Sequence, residues 1–441
     1  MVVEVPESAL RLAERLVRPR WGGIYPAPDF GGRSLPNLGV TALARAGGRP
    51  TPTMAPPLDP EYLVDAPERG EGSTQVVFLL DGFGWSFFRA FLERARSPAH
   101  RRLAEGLAPR TRPLTSVFPS TTSSALLSLS TGTAPGTHGI VGYTQYFPAW
   151  GAILNTLKFA PPWGGPRDLA IARGFQPKDL LPTPTVFGQG VRSSALTKDM
   201  FEGSAFTRIL YDGAKFEGYV SLSDLSHHLA RILSQPRARR PGLVWVYWDL
   251  LDAVGHLNGP HLDMAVDEIF HVLQAFVSAA ARMTPSDREG VHLFVTGDHG
   301  QVGVHPQKAR AAHDDPRLME LLQRPPSGER RAAFLQPREG QAEALRQHLA
   351  STLPPDWRVL DVEETLTGGL YGPGPLHPEL KARLGDLLVL AGEGASMWYR
   401  PPGARGPEDR FLHGSHGGLT PEELLVALVS VPFEELSRWE G

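Results

Sequence analysis

Three short runs of apolar, often β-branched residues stand out along the chain: Gln75 to Leu80, Leu243 to Trp248 and His292 to Thr296. Continuous apolar runs of this length mark strands buried on both faces, as in a parallel sheet covered by helices. Between them the period changes from two to 3.6. Leu262 to Met283 carries Val266, Ile269, Phe270, Leu273 and Phe276 at helical spacing, which predicts a long amphipathic helix. Shorter helices are predicted at Ser8 to Val17, Trp85 to Ala95, Ser123 to Ser130 and Leu222 to Leu233. Strand and helix in alternation predict an α/β fold with a parallel sheet between helical layers.

Two stretches break this rhythm. Trp21 to Pro60 and residues 150 to 190 are rich in Gly and Pro and read as a wrapping segment and a long excursion. After residue 306 the elements become small and mixed. Short strands are predicted at Arg331 to Gln336 and Trp357 to Leu360, and helices at Gly340 to Leu353 and Asp361 to Thr367. A hairpin is predicted from Asp386 to Ala391 and Ala395 to Tyr399 around Gly392-Glu393-Gly394. The expected organisation is an N-terminal segment over 1–72, with a boundary near Glu68-Arg69-Gly70. A main domain follows over 73–306 and 406–441, with an inserted α+β cap over 307–405.

Composition narrows the function. The net charge is −3, so nothing global favours a nucleic-acid polymer or an anionic membrane. There is no cysteine, which excludes disulfides, thiolate metal sites and cysteine nucleophiles. The first twenty residues hold several charges and no apolar signal-like run, and no stretch of about 18 consecutive apolar residues occurs. A cytoplasmic protein without a membrane span is the expectation. The oligomeric state is not encoded in these features.

The predicted strand ends carry the chemistry. Asp81 follows the first buried run, Asp252 and His256 follow the second, and Asp298-His299 follows the third. His416 lies in His413-Gly414-Ser415-His416-Gly417-Gly418. In open α/β sheets ligands bind beyond the carboxyl ends of the strands. Three carboxylates and three imidazoles suffice for two three-ligand sites with open positions, the chemistry of a divalent metal such as Zn²⁺. Two divalent ions against three carboxylates leave a local charge of about +1, which suits a phosphate ester. A nucleophile is available among the hydroxyls of Ser120-Thr121-Thr122-Ser123-Ser124, ahead of a helix whose free N–H groups favour an anion. Composition does not choose among the five.

The ordered motifs resemble the nucleotide pyrophosphatase/phosphodiesterase family of the alkaline phosphatase superfamily. Phe118-Pro119-Ser120-Thr121-Thr122, Thr131-Gly132, Pro135 and His138-Gly139-Ile140 are similar to its nucleophile region. Asp81-Gly82-Phe83 and Asp252-Ala253-Val254-Gly255-His256 with Gly259-Pro260 match its metal motifs in order, as do Asp298-His299-Gly300 and Gly414-Ser415-His416-Gly417. The resemblance runs from about residue 75 to 420. It implies an alkaline phosphatase-like α/β/α sandwich and two divalent metals, zinc being usual and manganese or another ion an alternative. One metal would be held by Asp252, His256 and His416. The other would be held by Asp81, Asp298 and His299, with Thr122 as adjacent ligand and nucleophile. Thr122 would form a covalent phospho-enzyme that water then hydrolyses. Tyr143 stands where phosphodiesterase members carry an asparagine that contacts the phosphoryl oxygen. Tyr143, Thr144 and Lys158 are therefore the expected substrate contacts. The implied substrate is a small phosphate ester, a nucleotide among the candidates. A phosphomonoesterase or phosphoryl-transfer enzyme on the same scaffold is the alternative, as is a metal-binding protein without turnover.

Overall fold

A computed structural model describes residues 2–65, 73–176, 183–404 and 411–440. The boundary expected at Glu68-Arg69-Gly70 lies outside the described residues. Seven strands form the main sheet: β1 (Thr74–Leu80), β2 (Thr111–Thr115), β3 (Ser193–Lys198), β4 (Lys215–Tyr219), β5 (Leu243–Trp248), β6 (Val291–Thr296) and β7 (Leu425–Pro432). Their spatial order is β2-β7-β6-β1-β5-β3-β4. The three apolar runs are its central strands β1, β5 and β6, every residue of which is buried.

The sheet is mixed rather than parallel, because β7 runs antiparallel to both β6 and β2. Three outer strands have no marked apolar run. Pro113 interrupts β2, while Ser193, Ser194, Thr197 and Lys198 make β3 polar. Their pairing rests on neighbours distant in sequence.

Helices cover both faces. On one side α2 (Leu35–Arg45) packs on β1 and on α4 (Thr122–Thr131). On the other, α3 (Trp85–Glu93) and α5 (Leu222–Leu233) pack on α7 (Leu262–Ala281). The chain begins with α1 (Glu7–Leu16), and α6 (Leu250–Asn258) follows β5. By length and composition α7 could cross a membrane, but Val266, Ile269, Val272, Leu273 and Phe276 are buried here. Phe276 meets Phe78 of β1 with ring centroids 4.4 Å apart. Burying one such ring contributes about 1.5–3 kcal/mol.

The segment expected to wrap irregularly over Trp21 to Pro60 contains α2. Its Pro36 occupies the first turn, where proline costs no hydrogen bond. Asn37 accepts from the Ser34 N–H at 2.9 Å and donates to the Phe30 and Pro56 carbonyls. A buried polar side chain thus ties the loops on either side to the helix. The 150–190 excursion also begins in regular structure, since Thr144–Phe147 and Ala152–Asn155 form a hairpin.

That hairpin joins a second, six-stranded sheet. Its other strands are Ser327–Gly328, Ala332–Leu335, Arg358–Asp361 and Leu387–Leu390. The hairpin predicted around Gly392-Glu393-Gly394 does not form. Leu387–Leu390 instead lies between 332–335 and 358–361, antiparallel to both. Ser396–Trp398 pairs in parallel with Ala309–Ala311. Leu387 to Leu390 are all buried, as a central strand requires, whereas a two-stranded hairpin would expose one face. One side of this sheet packs with Phe118, Val141 and Leu419, residues flanking the hydroxyl cluster and His416.

Candidate metal centre

The register of β1, β5 and β6 assembles the site. Leu80 pairs with Trp248 and Leu79 with Thr296, so the three strands end side by side and release Asp81, α6 and Asp298-His299 at one edge. Gly82 turns the chain with φ +76°, and a Cβ there would meet the Asp252 backbone at 3.2 Å. Its N–H donates to Asp298 Oδ1 at 2.9 Å. With this positive φ and the Asp252 backbone so near, glycine fits where a side chain would be strained.

Seven of the ten predicted site residues converge. Ligand atoms of Asp81, Asp298 and His299 lie within 4.8 Å of one another, as do those of Asp252, His299 and His416. His299 Nε2 is 3.5 Å from Asp81 Oδ1 and 3.3 Å from Asp298 Oδ2. His256 Nε2 approaches Asp252 Oδ2 at 3.0 Å. The His299 and His416 rings stack with centroids 3.6 Å apart, joining the two groups. Thr122 Oγ lies 3.2 Å from His299 Nε2, at the first turn of α4.

The remaining nitrogens explain why these imidazoles face inward. His256 Nδ1–H donates to the Gly414 carbonyl at 2.7 Å, His299 Nδ1–H to Gly300 at 3.0 Å, and His416 Nδ1–H to Ser120 at 3.0 Å. Each bond fixes one tautomer and leaves Nε2 as a lone-pair donor. Among the carboxylates, Asp81 Oδ1 and Asp298 Oδ2 are buried and have no hydrogen-bond partner among the described residues. Buried anionic oxygens without partners are costly. Burial, then the charges of Asp298 and Asp252, pushes the Asp81 carboxyl well above the usual range. Burial works against ionising Asp252, but His256 and His416 outweigh it and hold that carboxyl below the usual range. Three converging carboxylates, two orphaned oxygens and three oriented lone pairs fit divalent cations.

The other three predicted residues are placed differently. Thr144 pairs with Gly328 of the second sheet, and its hydroxyl donates to that carbonyl at 3.1 Å. Lys158 lies on the turn that Asn155 Oδ1 builds, receiving its N–H at 3.0 Å. Tyr143 is drawn to the site by its backbone, whose N–H donates to Glu329 Oε1 at 2.5 Å.

Three residues around the centre are not among the candidates the sequence offers. Tyr247 donates its hydroxyl to Asp81 Oδ2 at 2.5 Å, and Gln301 Nε2 donates to Asp252 Oδ1 at 2.8 Å. Glu329 comes from the turn between the second-sheet strands 327–328 and 332–335. Burial pushes its carboxyl up to about 7, against hydrogen bonds from Thr121 and Tyr143. Gln301 alone had a signal, two residues after His299. Tyr247 and Glu329 belong to no motif.

An α/β sheet covered by helices, with candidate metal ligands at its carboxyl edge, has its site where open α/β sheets bind ligands. Residues 75–419 match the family model of type I phosphodiesterase / nucleotide pyrophosphatase, and the chain belongs to that family. It is accordingly a metal-dependent phosphoric ester hydrolase. No curated protein matches. Solved structures do. Murine ectonucleotide pyrophosphatase / phosphodiesterase 5 is 19% identical with a TM-score of 0.55, covering 81% of this chain and 87% of its own. An inactive threonine-to-alanine form of that protein in complex with AMP is 18% identical with a TM-score of 0.56, covering 83% and 93%. The human counterpart is 16% identical with a TM-score of 0.53, also covering 83% and 93%.

Proposed function

We propose that this protein is a two-metal phosphodiesterase of small phosphate esters, nucleotides included, that works through Thr122. The observation that carries this reading is the set of three Nδ1–carbonyl bonds, which turn three Nε2 atoms toward three carboxylates beside the Thr122 hydroxyl. Asp252, His256 and His416 would hold one ion, and Asp81, Asp298, His299 and Thr122 the other. Such ions, when bound, neutralise the carboxylates, acidify a nearby hydroxyl and stabilise charge on phosphoryl oxygens.

The chain's own residues do the rest. The Thr122 oxygen attacks phosphorus as the bond to the leaving oxygen breaks, giving a Thr122-linked phosphodiester that keeps the other substituent, and the threonine proton leaves with the departing alcohol or phosphate. Water then cleaves the bond between Thr122 and phosphorus, which releases the phosphate monoester and restores the hydroxyl. The first turn of α4 presents backbone N–H groups to the phosphoryl oxygens. The AMP held by the inactive murine protein supports a nucleotide-sized substrate, and that protein's threonine-to-alanine change supports a threonine nucleophile.

The test compares bis(p-nitrophenyl) phosphate with p-nitrophenyl phosphate in Zn²⁺- or Mn²⁺-loaded protein. A higher kcat/KM for the diester is expected, and a strong monoester preference would replace this reading with a phosphomonoesterase. Thr122→Ala should lose at least about 10³-fold in kcat while two metals per chain remain by elemental analysis. Unchanged turnover would remove Thr122 from the mechanism. No turnover of either ester by the metal-loaded protein would leave a metal-binding protein.

A further inference from the structure

We propose that Glu329 sets the charge of the phosphate ester the site accepts, favouring a monoanionic diester over a dianionic monoester. This inference rests on the two-metal reading above and adds to it a specificity-determining residue from the second sheet.

Glu329 is placed among three parts of the site. Its Oε1 accepts from the Tyr143 N–H at 2.5 Å. The side chain of Thr121, next to the nucleophile, is near enough to pull the carboxyl's pKa back down. Its Cβ and Cγ press on Gly417, next to His416: a Cβ added at Gly417 would lie 2.5 Å from Glu329 Cβ, and that residue's φ is +113°. The carboxyl thus stands beside the neighbours of Thr122 and of His416 and is held on the backbone of Tyr143.

Of its basic neighbours in sequence, Arg331 is engaged elsewhere, whereas the Arg330 charge also acts on His256. Arg331 is engaged with both oxygens of Glu423 and with the carbonyls of Gly392 and Ala395. The Arg330 guanidinium lies 5.9 Å from the centre of the Trp398 ring. Two divalent ions against Asp81, Asp252 and Asp298 leave about +1, and an ionised Glu329 lowers the local charge by one, a change that does not depend on Arg330. A phosphodiester brings one negative charge and an ionised monoester nearly two. Each unit of substrate charge meets the Glu329 charge in a partly desolvated pocket, so the monoester pays that repulsion about twice. An amide in place of the carboxyl removes this term and leaves the acceptor for Tyr143.

The experiment uses full-length, Zn²⁺-loaded protein at pH 8.5, where the Glu329 carboxyl and the monoester are both ionised. Binding of p-nitrophenyl phosphate and bis(p-nitrophenyl) phosphate is measured by calorimetry on Thr122→Ala, with and without Glu329→Gln. The added change should tighten the monoester by about tenfold or more and move the diester by less than about threefold. With Thr122 intact, the diester-to-monoester ratio of kcat/KM should fall by a similar factor. Glu329→Asp keeps the charge and should keep the discrimination. Glu329→Ala removes the charge by a second route and should reproduce the Gln result if Gln fails to fold. An unchanged binding ratio, or Asp and Gln variants that behave alike, overturns the inference while the two-metal reading stands. Metal-loaded protein that binds neither ester overturns both.

Discussion

Asp81 shows how single side chains prepare the centre. Its Oδ2 receives the Tyr247 hydroxyl at 2.5 Å, while Oδ1 faces His299 Nε2 at 3.5 Å. Burial and the neighbouring Asp81 charge both raise the Tyr247 pKa well above its ordinary value, so the phenol remains a donor. Tyr247→Phe keeps the ring and removes only that donor. We expect it to weaken metal binding by about 10–100-fold, the usual effect of losing a group that orients a ligand, with little change in thermal midpoint. Competition with a chelator measures this, and an affinity within about twofold of the parent would show that β5 orients Asp81 without the phenol. Tyr247 also marks a limit of sequence reading. The convergent aspartates and histidines announce themselves by type, order and spacing. A tyrosine within Leu243-Val244-Trp245-Val246-Tyr247-Trp248 looks like one more strand residue until the register places it opposite Leu79.

Among the elements, α2 and α4 make the closest approach bearing on the nucleophile. A Cβ at Gly39 of α2 would lie 2.0 Å from the carbonyl oxygen of Leu129 in α4, so the two helices touch backbone to backbone. Glycine-to-alanine in an exposed helix normally stabilises by about 1 kcal/mol. Here the added methyl meets a carbonyl that cannot rotate away, and overpacking of this kind costs about 1–3 kcal/mol. Gly39→Ala should therefore lower the urea midpoint, and a gain in stability would mean that α2 can slide freely on α4. The same helix shows why part of the fold was hidden. Pro36, Asn37 and Gly39 read in sequence as loop residues, yet they serve as a first-turn proline, a buried loop tie and a close-packing gap. Strands β1, β5 and β6 were legible because burial on both faces leaves an apolar run. Strand β3 was not, because its alternation is weak and its place depends on pairing with β5. Leu387–Leu390 was legible as a strand, but its partners lie some fifty and thirty residues upstream, a distance no local turn signal spans.

At the scale of the whole molecule, one buried ion pair couples the two sheets to the centre. Arg331 enters from the second sheet and is 2% exposed, while Glu423 is fully buried before β7. Arg331 Nε and Nη2 donate to Glu423 Oε1 and Oε2 at 2.8 and 3.1 Å, a bidentate pair. Nη1 holds the Gly392 and Ala395 carbonyls of the same lobe. Glu423 Oε1 also accepts the Gly418 N–H at 2.8 Å, and its carbonyl accepts the Gly300 N–H at 2.9 Å. Ser120 completes the link, donating to the Gly418 carbonyl at 2.8 Å and accepting the Gly417 N–H. The second sheet, the His416 loop, the His299 loop and the hydroxyl cluster are therefore joined around one residue, Glu423, through its carboxylate and its main-chain carbonyl. Such a pair adds little net stability compared with apolar residues, but breaking it strands a buried charge. Arg331→Met should cost about 3–5 kcal/mol in denaturant unfolding. Arg331→Met with Glu423→Gln should recover part of that loss, because the remaining group is neutral and still bonds Gly418. Costs that simply add would mean that the two side chains act independently. The two variants should also separate at the centre: only the single variant leaves an uncompensated negative charge behind His416 and His299, which favours a divalent cation, so where both remain folded it should bind Zn²⁺ at least as tightly as the double variant.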